Sequence, residues 1–181
     1  NSVCDGEILW AFASGEKGMV KKGKEEALSG IGGKQSKLRV AVSRFHVTEW
    51  ELRYVDYLKS LGHEVELVPL GASSKHCLLA KGEVDICPNC GKCSEWDVAA
   101  GQVLVEATGG YVVNAETGGE VRYNKENMIS PPFVMFGKRV YDEIKEGNKT
   151  FLDFKAKSVV KNDYLGARRN EIKKQDIMEK Q

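Results

Sequence analysis

Residues 38–70 read LRVAVSRFHVTEWELRYVDYLKSLGHEVELVPL, and the hydrophobic period changes twice inside them. LRVAVSR (38–44) is a continuous apolar run of the kind found in strands buried on both faces. Thr48 and Glu51 then have capping-box spacing, and Leu52, Val55, Leu58 and Leu61 recur with a helical period. Gly62 is placed to end that helix, and EVELVPL (64–70) resumes as a strand. A strand, a helix and a second strand of this length form a βαβ unit, whose two strands run parallel.

The pattern continues toward the C-terminus. GASSKHCLLAKG (71–82) suits a helix start before the Cys77-Leu78-Leu79 face, VDIC (84–87) a third strand, and Asp97–Thr108 a third helix closed by Gly109 and Gly110. YVVNAETGGEVRY (111–123) predicts a hairpin turning at Thr117-Gly118-Gly119, and FVMFG (133–137) a last apolar strand. The predicted fold is therefore α/β with a substantially parallel sheet over 37–138. Upstream, EILWAFASGEKGMVKKG (7–23) reads as two antiparallel strands turning near Ser14–Gly18, with a glycine-rich linker over 24–36. Downstream, 139–181 predicts a charged, partly helical and solvated tail.

Composition narrows the partners. With 41% hydrophobic and 29% charged residues and a formal net charge of +1, the chain is neither strongly basic nor acidic, which argues against bulk electrostatic binding to nucleic acid or membrane. No apolar run approaches the ~20 residues of a membrane span. The N-terminus shows no secretory pattern. Five cysteines, an odd number with three bunched at 87, 90 and 93, do not form a secreted disulfide framework, so a reducing cytoplasmic or organellar compartment is expected.

Ligands of such sheets gather beyond the carboxyl ends of the strands. Three polar stretches fall there. Ser43, Arg44 and His46 follow the first strand; Gly71, Ser73 and Lys75 follow the second and open a helix whose free amides favour an anion; Asp97 lies beyond the third. Asp97 reads either as a helix cap or as one ligand of a hard cation that needs further oxygens. Cys87, Cys90 and Cys93 read either as reduced thiols in a turn or as part of a zinc site, which Cys77, His76 or His63 would have to complete.

SEWDVAAGQVLVEATGGYVV (94–113) closely resembles the WDxAAGxxxxxEAGG signature of the inositol monophosphatase-like, Mg²⁺-dependent and Li⁺-sensitive phosphatases. VAVSRFH (40–46) and LGASSKHCLLAKGEVDICP (70–88) are similar to segments of the 3′(2′),5′-bisphosphate nucleotidase branch, and the joint match covers roughly 5–137. The resemblance implies a C-terminal α/β sandwich domain of that fold, with 1–36 as the last strands of its N-terminal sheet region. It implies that Asp97 ligates Mg²⁺, that His46 and the Gly71–Lys75 turn hold the nucleotide or its non-scissile phosphate, and that the substrate is 3′-phosphoadenosine 5′-phosphate, of sulfur metabolism, or a relative. Inhibition by Li⁺ would accompany such activity.

The family's DPxDGT metal motif is absent from these residues, and the chain reads as starting after it. Ala72, Asn89 and Cys93 stand where relatives carry a serine, an arginine and a threonine. Two readings follow: the C-terminal part of a hydrolase completed by a longer chain or a separate polypeptide, or a degenerate phosphatase-like domain serving as a scaffold or subunit. An inositol phosphate phosphatase and a zinc module centred on Cys87, Cys90 and Cys93 are weaker alternatives.

Overall fold

A computed structural model describes the backbone of three N-terminal strands and every residue of 37–154 except Ala72. β1 (Leu9–Ser14) pairs antiparallel with β2 (Lys17–Lys22), as expected, and β3 (Glu26–Ala27) adds a short third strand inside the predicted linker. The rest comprises β4 (Lys37–Ser43), α1 (Glu49–Ser60), β5 (Glu64–Leu70), α2 (Ser74–Lys81), β6 (Ile86–Asn89), α3 (Glu95–Ala107), β7 (Tyr111–Asn114), β8 (Phe133–Phe136), α4 (Lys138–Lys145) and a 3₁₀ turn, Lys149–Leu152. α3 lies against β1 and β2.

The second sheet has the order β5-β4-β6-β8-β7. β4 pairs parallel with β5 in the register Lys37↔Glu64 to Ser43↔Leu70, and with β6 through Val40↔Ile86. β8 runs antiparallel to both neighbours. The sheet is thus mixed, although only β8 opposes the rest.

β4 shows why helices cover both faces. Leu38, Val40 and Val42 join one apolar cluster with α1 residues Trp50, Leu52, Tyr54, Val55 and Leu58, whereas Ala41 joins another with Leu78, Leu79, Val98 and Val105 of α2 and α3. Leu38, Val40 and Val42 alternate with Ala41 along the strand, so each helix layer covers one of its faces.

Four expectations are corrected. The predicted hairpin forms only its first strand: Gly118 N–H donates to Asn114 O and Asn114 N–H to Gly119 O, and β7 then pairs with β8. Glu120 and Arg122 are exposed, whereas all four residues of β8 are buried, so β8 offers the sheet more apolar surface than 120–123 could. The third strand is shifted from 84–87 to Ile86–Asn89. α3 begins at Glu95, with Ser94 as its cap, so Asp97 stands in its first turn. Leu61, placed on the buried face of the first helix by its period, is the exposed C-cap.

Residues 139–154 are also packed rather than solvated. Val140 and Phe151 are buried, Tyr54 Oη donates to Phe151 O at 3.1 Å and Tyr57 Oη to Thr150 O at 2.7 Å, and Phe154 packs edge-on against Trp50. The aromatic side of α1, formed by Trp50, Tyr54 and Tyr57, is what holds them. Residues 155–181 lie outside the described residues.

α4 is fastened by a buried carboxylate. Asp85 Oδ2 accepts from Arg39 N at 2.8 Å and Nε at 3.1 Å, and Oδ1 accepts from Arg39 Nη2 at 3.0 Å and Arg139 Nε at 3.2 Å. Burial alone would raise the Asp85 pKa, but the hydrogen bonds from Arg39 and Arg139 outweigh it and hold the carboxyl below the ordinary range. Asp85→Asn should lower the midpoint of urea unfolding by an amount equivalent to roughly 3–5 kcal/mol, because two partly buried guanidinium groups lose their counter-charge. Lys37→Met, which removes the exposed pair with Glu64, should leave the midpoint unchanged.

Candidate functional site

β5 and β6 flank β4, and the helices leaving β4 and β5 pass to opposite faces, so a crevice opens beyond their carboxyl ends. It is a cleft of about 690 Å³ lined by Ser43 from the end of β4, His46 and Thr48 before α1, Ser73 and Lys75 at the start of α2, Asn89 and Cys93 after β6, and Asp97 on α3. Five of the seven residues proposed from sequence for substrate or metal therefore meet in one cavity. Arg44 and Gly71 do not line it. Arg44 Nη2 turns to Pro69 O at 3.2 Å, tying the ends of β4 and β5 together, and Gly71 O accepts from Ser74 Oγ.

Local hydrogen bonds set the donors. Ser43 Oγ accepts from His46 N at 3.0 Å, which folds the 43–46 turn so that both residues edge the cleft. Ser73 caps α2 through its backbone position and leaves its side chain uncommitted to the cap. Lys75 is 5% exposed, so its ammonium is delivered to the cleft by a buried stem.

Three carboxylates line the same cleft, of which Glu49 is paired with Arg53. Glu51, legible in the sequence only as a capping-box residue, is 1% exposed and lines the cleft; it accepts from Thr48 N at 2.8 Å and from Cys90 N at 3.4 Å. Burial raises its pKa, opposed by the Thr48 amide and the charge of Lys75. Asp97 is exposed, and its Oδ2 accepts from Ser94 N at 3.0 Å and faces Cys93 Sγ at 3.9 Å. The N-cap expected of Asp97 is thus Ser94, with Asp97 closing the capping box from N3 while lining the cleft.

The cysteines separate instead of converging. Cys87 is fully buried in the cluster beneath α2 and α3, whereas Cys90 packs against the cluster beneath α1. Burial raises all three thiols, Cys90 to about 11, with Glu51 adding to Cys90 and Asp97 to Cys93. The expected zinc set is not assembled here, because Cys87 within β6 and Cys90 just past it belong to apolar clusters on opposite sides of the sheet. Among the described residues no three His, Cys, Asp or Glu side chains are grouped to hold a metal ion. For Mg²⁺ the described residues fall short alone: Glu51 is engaged by the Thr48 and Cys90 amides and Glu49 by Arg53, which leaves Asp97 where a hard cation requires several oxygens.

His76, read from sequence only as an improvised zinc ligand, lines the cleft at 4% exposure. It packs on Gly101 of α3, where a Cβ would lie 2.1 Å from Nδ1 and 2.9 Å from Cβ of the histidine. Burial, and then Lys75, lower its pKa from 6.5 to about 4.

Hydroxyls, a lysine and carboxylates thus gather beyond the strand ends of a mixed α/β domain. A model of the inositol monophosphatase family matches residues 6–146, and the chain belongs to that family. It is 37% identical over 95 residues to the 3′(2′),5′-bisphosphate nucleotidase CysQ of Salmonella typhimurium, over 52% of this chain and 37% of that protein. It is 34% identical over 91 residues to CysQ of Buchnera aphidicola, over 50% and 32%. The crystal structure of CysQ from Bacteroides thetaiotaomicron superposes with a TM-score of 0.59 at 30% identity, over 71% of this chain and 54% of that one. The matches thus span about a third of the curated relatives and about half of the solved one. No helix among the described residues is long and apolar enough to cross a membrane.

Two outcomes test this packing. Gly101→Ala should destabilise the domain by roughly 1–3 kcal/mol, and His76→Ala in the same protein should recover part of that loss, giving a coupling in a double-mutant cycle. Because the folded pKa of His76 lies below its unfolded value, the unfolded chain binds the proton first as pH falls. Stability should drop between about pH 6.5 and pH 4 by as much as roughly 3 kcal/mol, and His76→Phe should flatten that part of the urea-midpoint profile.

Proposed function

We propose that this chain is the C-terminal α/β part of a metal-dependent phosphomonoesterase acting on a nucleotide bisphosphate such as 3′-phosphoadenosine 5′-phosphate. The observation that carries the reading is the meeting of Ser43, His46, Ser73, Lys75 and Asp97, from three separate segments, around one cleft. The hydroxyls and the lysine suit phosphate oxygens, with Lys75 as the buried positive charge. Asp97 is proposed as one oxygen ligand of a Mg²⁺ site whose remaining ligands come from outside the residues described. When bound, Mg²⁺ would supply Lewis-acid stabilisation of phosphoryl oxygens.

The similarity to CysQ proteins supports the nucleotide over inositol monophosphate as substrate. A second reading, a phosphatase-like scaffold or subunit without activity, is favoured by one observation: Asp97 Oδ2 is already engaged by Ser94 N.

Calorimetry of the chain with adenosine 3′,5′-bisphosphate, and phosphate release with Mg²⁺ after adding the N-terminal part of a CysQ relative, separate the two. The enzyme reading expects binding weakened about 10- to 100-fold by Lys75→Met, together with Li⁺-sensitive release abolished by Asp97→Asn. Binding without release decides for the scaffold, whereas release indifferent to Asp97→Asn overturns the role given to Asp97.

A further inference from the structure

His76 is a buried polar group of the cleft that the proposed function leaves without a task. Its ring is 4% exposed, and Nδ1 is buried with no hydrogen-bond partner. The Cβ–Cγ–Nδ1 edge lies against Gly101, so Nδ1 meets the carbon surface of α3. The direction in which a Cβ would leave Gly101 passes 2.1 Å from Nδ1, so a Cα–H of Gly101 points at that nitrogen; a lone pair accepts this contact, whereas an N–H would collide with it. With the Nδ1 lone pair on that contact the proton belongs on Nε2, the other ring nitrogen of a side chain that lines the cleft.

The position of Nε2 decides what such a proton can do. His76 directly follows Lys75 at the start of α2, and Phe133 packs edge-on against the ring at 6.4 Å between centroids, so the imidazole is held in place by apolar and glycine contacts. The ammonium of Lys75 supplies charge without direction, whereas a ring N–H fixed by packing supplies direction. A tetrahedral oxyanion beside Lys75 presents only acceptors.

We propose that His76 is a positioning donor of the cleft: packing on Gly101 keeps its proton on Nε2, which donates to an oxygen of the phosphate held beside Lys75. The inference rests on reading the cleft as a phosphate site, and goes beyond it by giving His76 a tautomer and a bond. It also makes Gly101 a functional requirement, since a side chain there would turn the ring.

Nitrogen-15 correlation spectra of histidine-labelled chain, with His76 assigned by its loss in His76→Phe, should show the Nε2–H tautomer. Titration with inorganic phosphate in a calorimeter should show His76→Phe binding about tenfold more weakly, a charge-assisted hydrogen bond being worth about 1.5–3 kcal/mol. His76→Gln, whose amide nitrogen reaches the Nε2 position, should stay within about threefold of the parent, while His76→Asn, which mimics Nδ1, should not. An Nδ1–H tautomer, or His76→Phe binding phosphate as the parent does while Lys75→Met does not, overturns the role of His76 and leaves the cleft reading standing. A parent chain that binds neither phosphate nor adenosine 3′,5′-bisphosphate overturns both.

Discussion

Asp85 is the constraint on which the domain is hung. Its carboxylate takes hydrogen bonds from Arg39 on β4 and Arg139 on α4, its N–H donates to Arg39 O, and its C=O accepts from Gly137 N between β8 and α4. One residue thus joins β4, the entry to β6, the end of β8 and the helix that follows. A charge at 3% exposure is tolerable only because every oxygen is used. The β6 strand it introduces ends at Asn89, the first residue of the turn that edges the cleft.

The cleft itself is built from one local device used twice. In each of α1 and α3 the third helical residue is acidic and reaches back to the cap amide, Glu51 to Thr48 and Asp97 to Ser94. The consequences differ with burial. Glu51 is sealed beneath the Cys90 amide and braces the β6–α3 turn against α1, whereas Asp97 stays at the solvent side of the cavity, where its second oxygen can still meet a ligand. Lys75 approaches the same space from α2, so three helix starts aim at one volume.

The cysteine turn acquires its meaning from the sheet. Along β6 and past its end, alternation sends Cys87 to one apolar cluster and Cys90 toward the other, so spacing that suits a metal in an isolated loop cannot converge here. Cys93 does reach the cleft, but beside Asp97 and with a raised pKa it presents a thiol rather than a thiolate.

The sequence by itself determined the βαβ unit, the capping box at Thr48, both strands of the N-terminal pair, and Ser43, His46, Ser73, Lys75 and Asp97 as groups beyond strand ends. Each is written in local periodicity or in the chemistry of a chain reversal, which needs no distant partner. Only tertiary structure decided that Phe133–Phe136 rather than 120–123 pairs with β7, that 139–154 is packed under α1, and that Arg44 faces Pro69 and not the cleft. These depend on which apolar surface remains uncovered once the sheet has formed. The same holds for His76: its place is visible in the sequence, but its proton is assigned by Gly101 twenty-five residues away, a contact that no local pattern records.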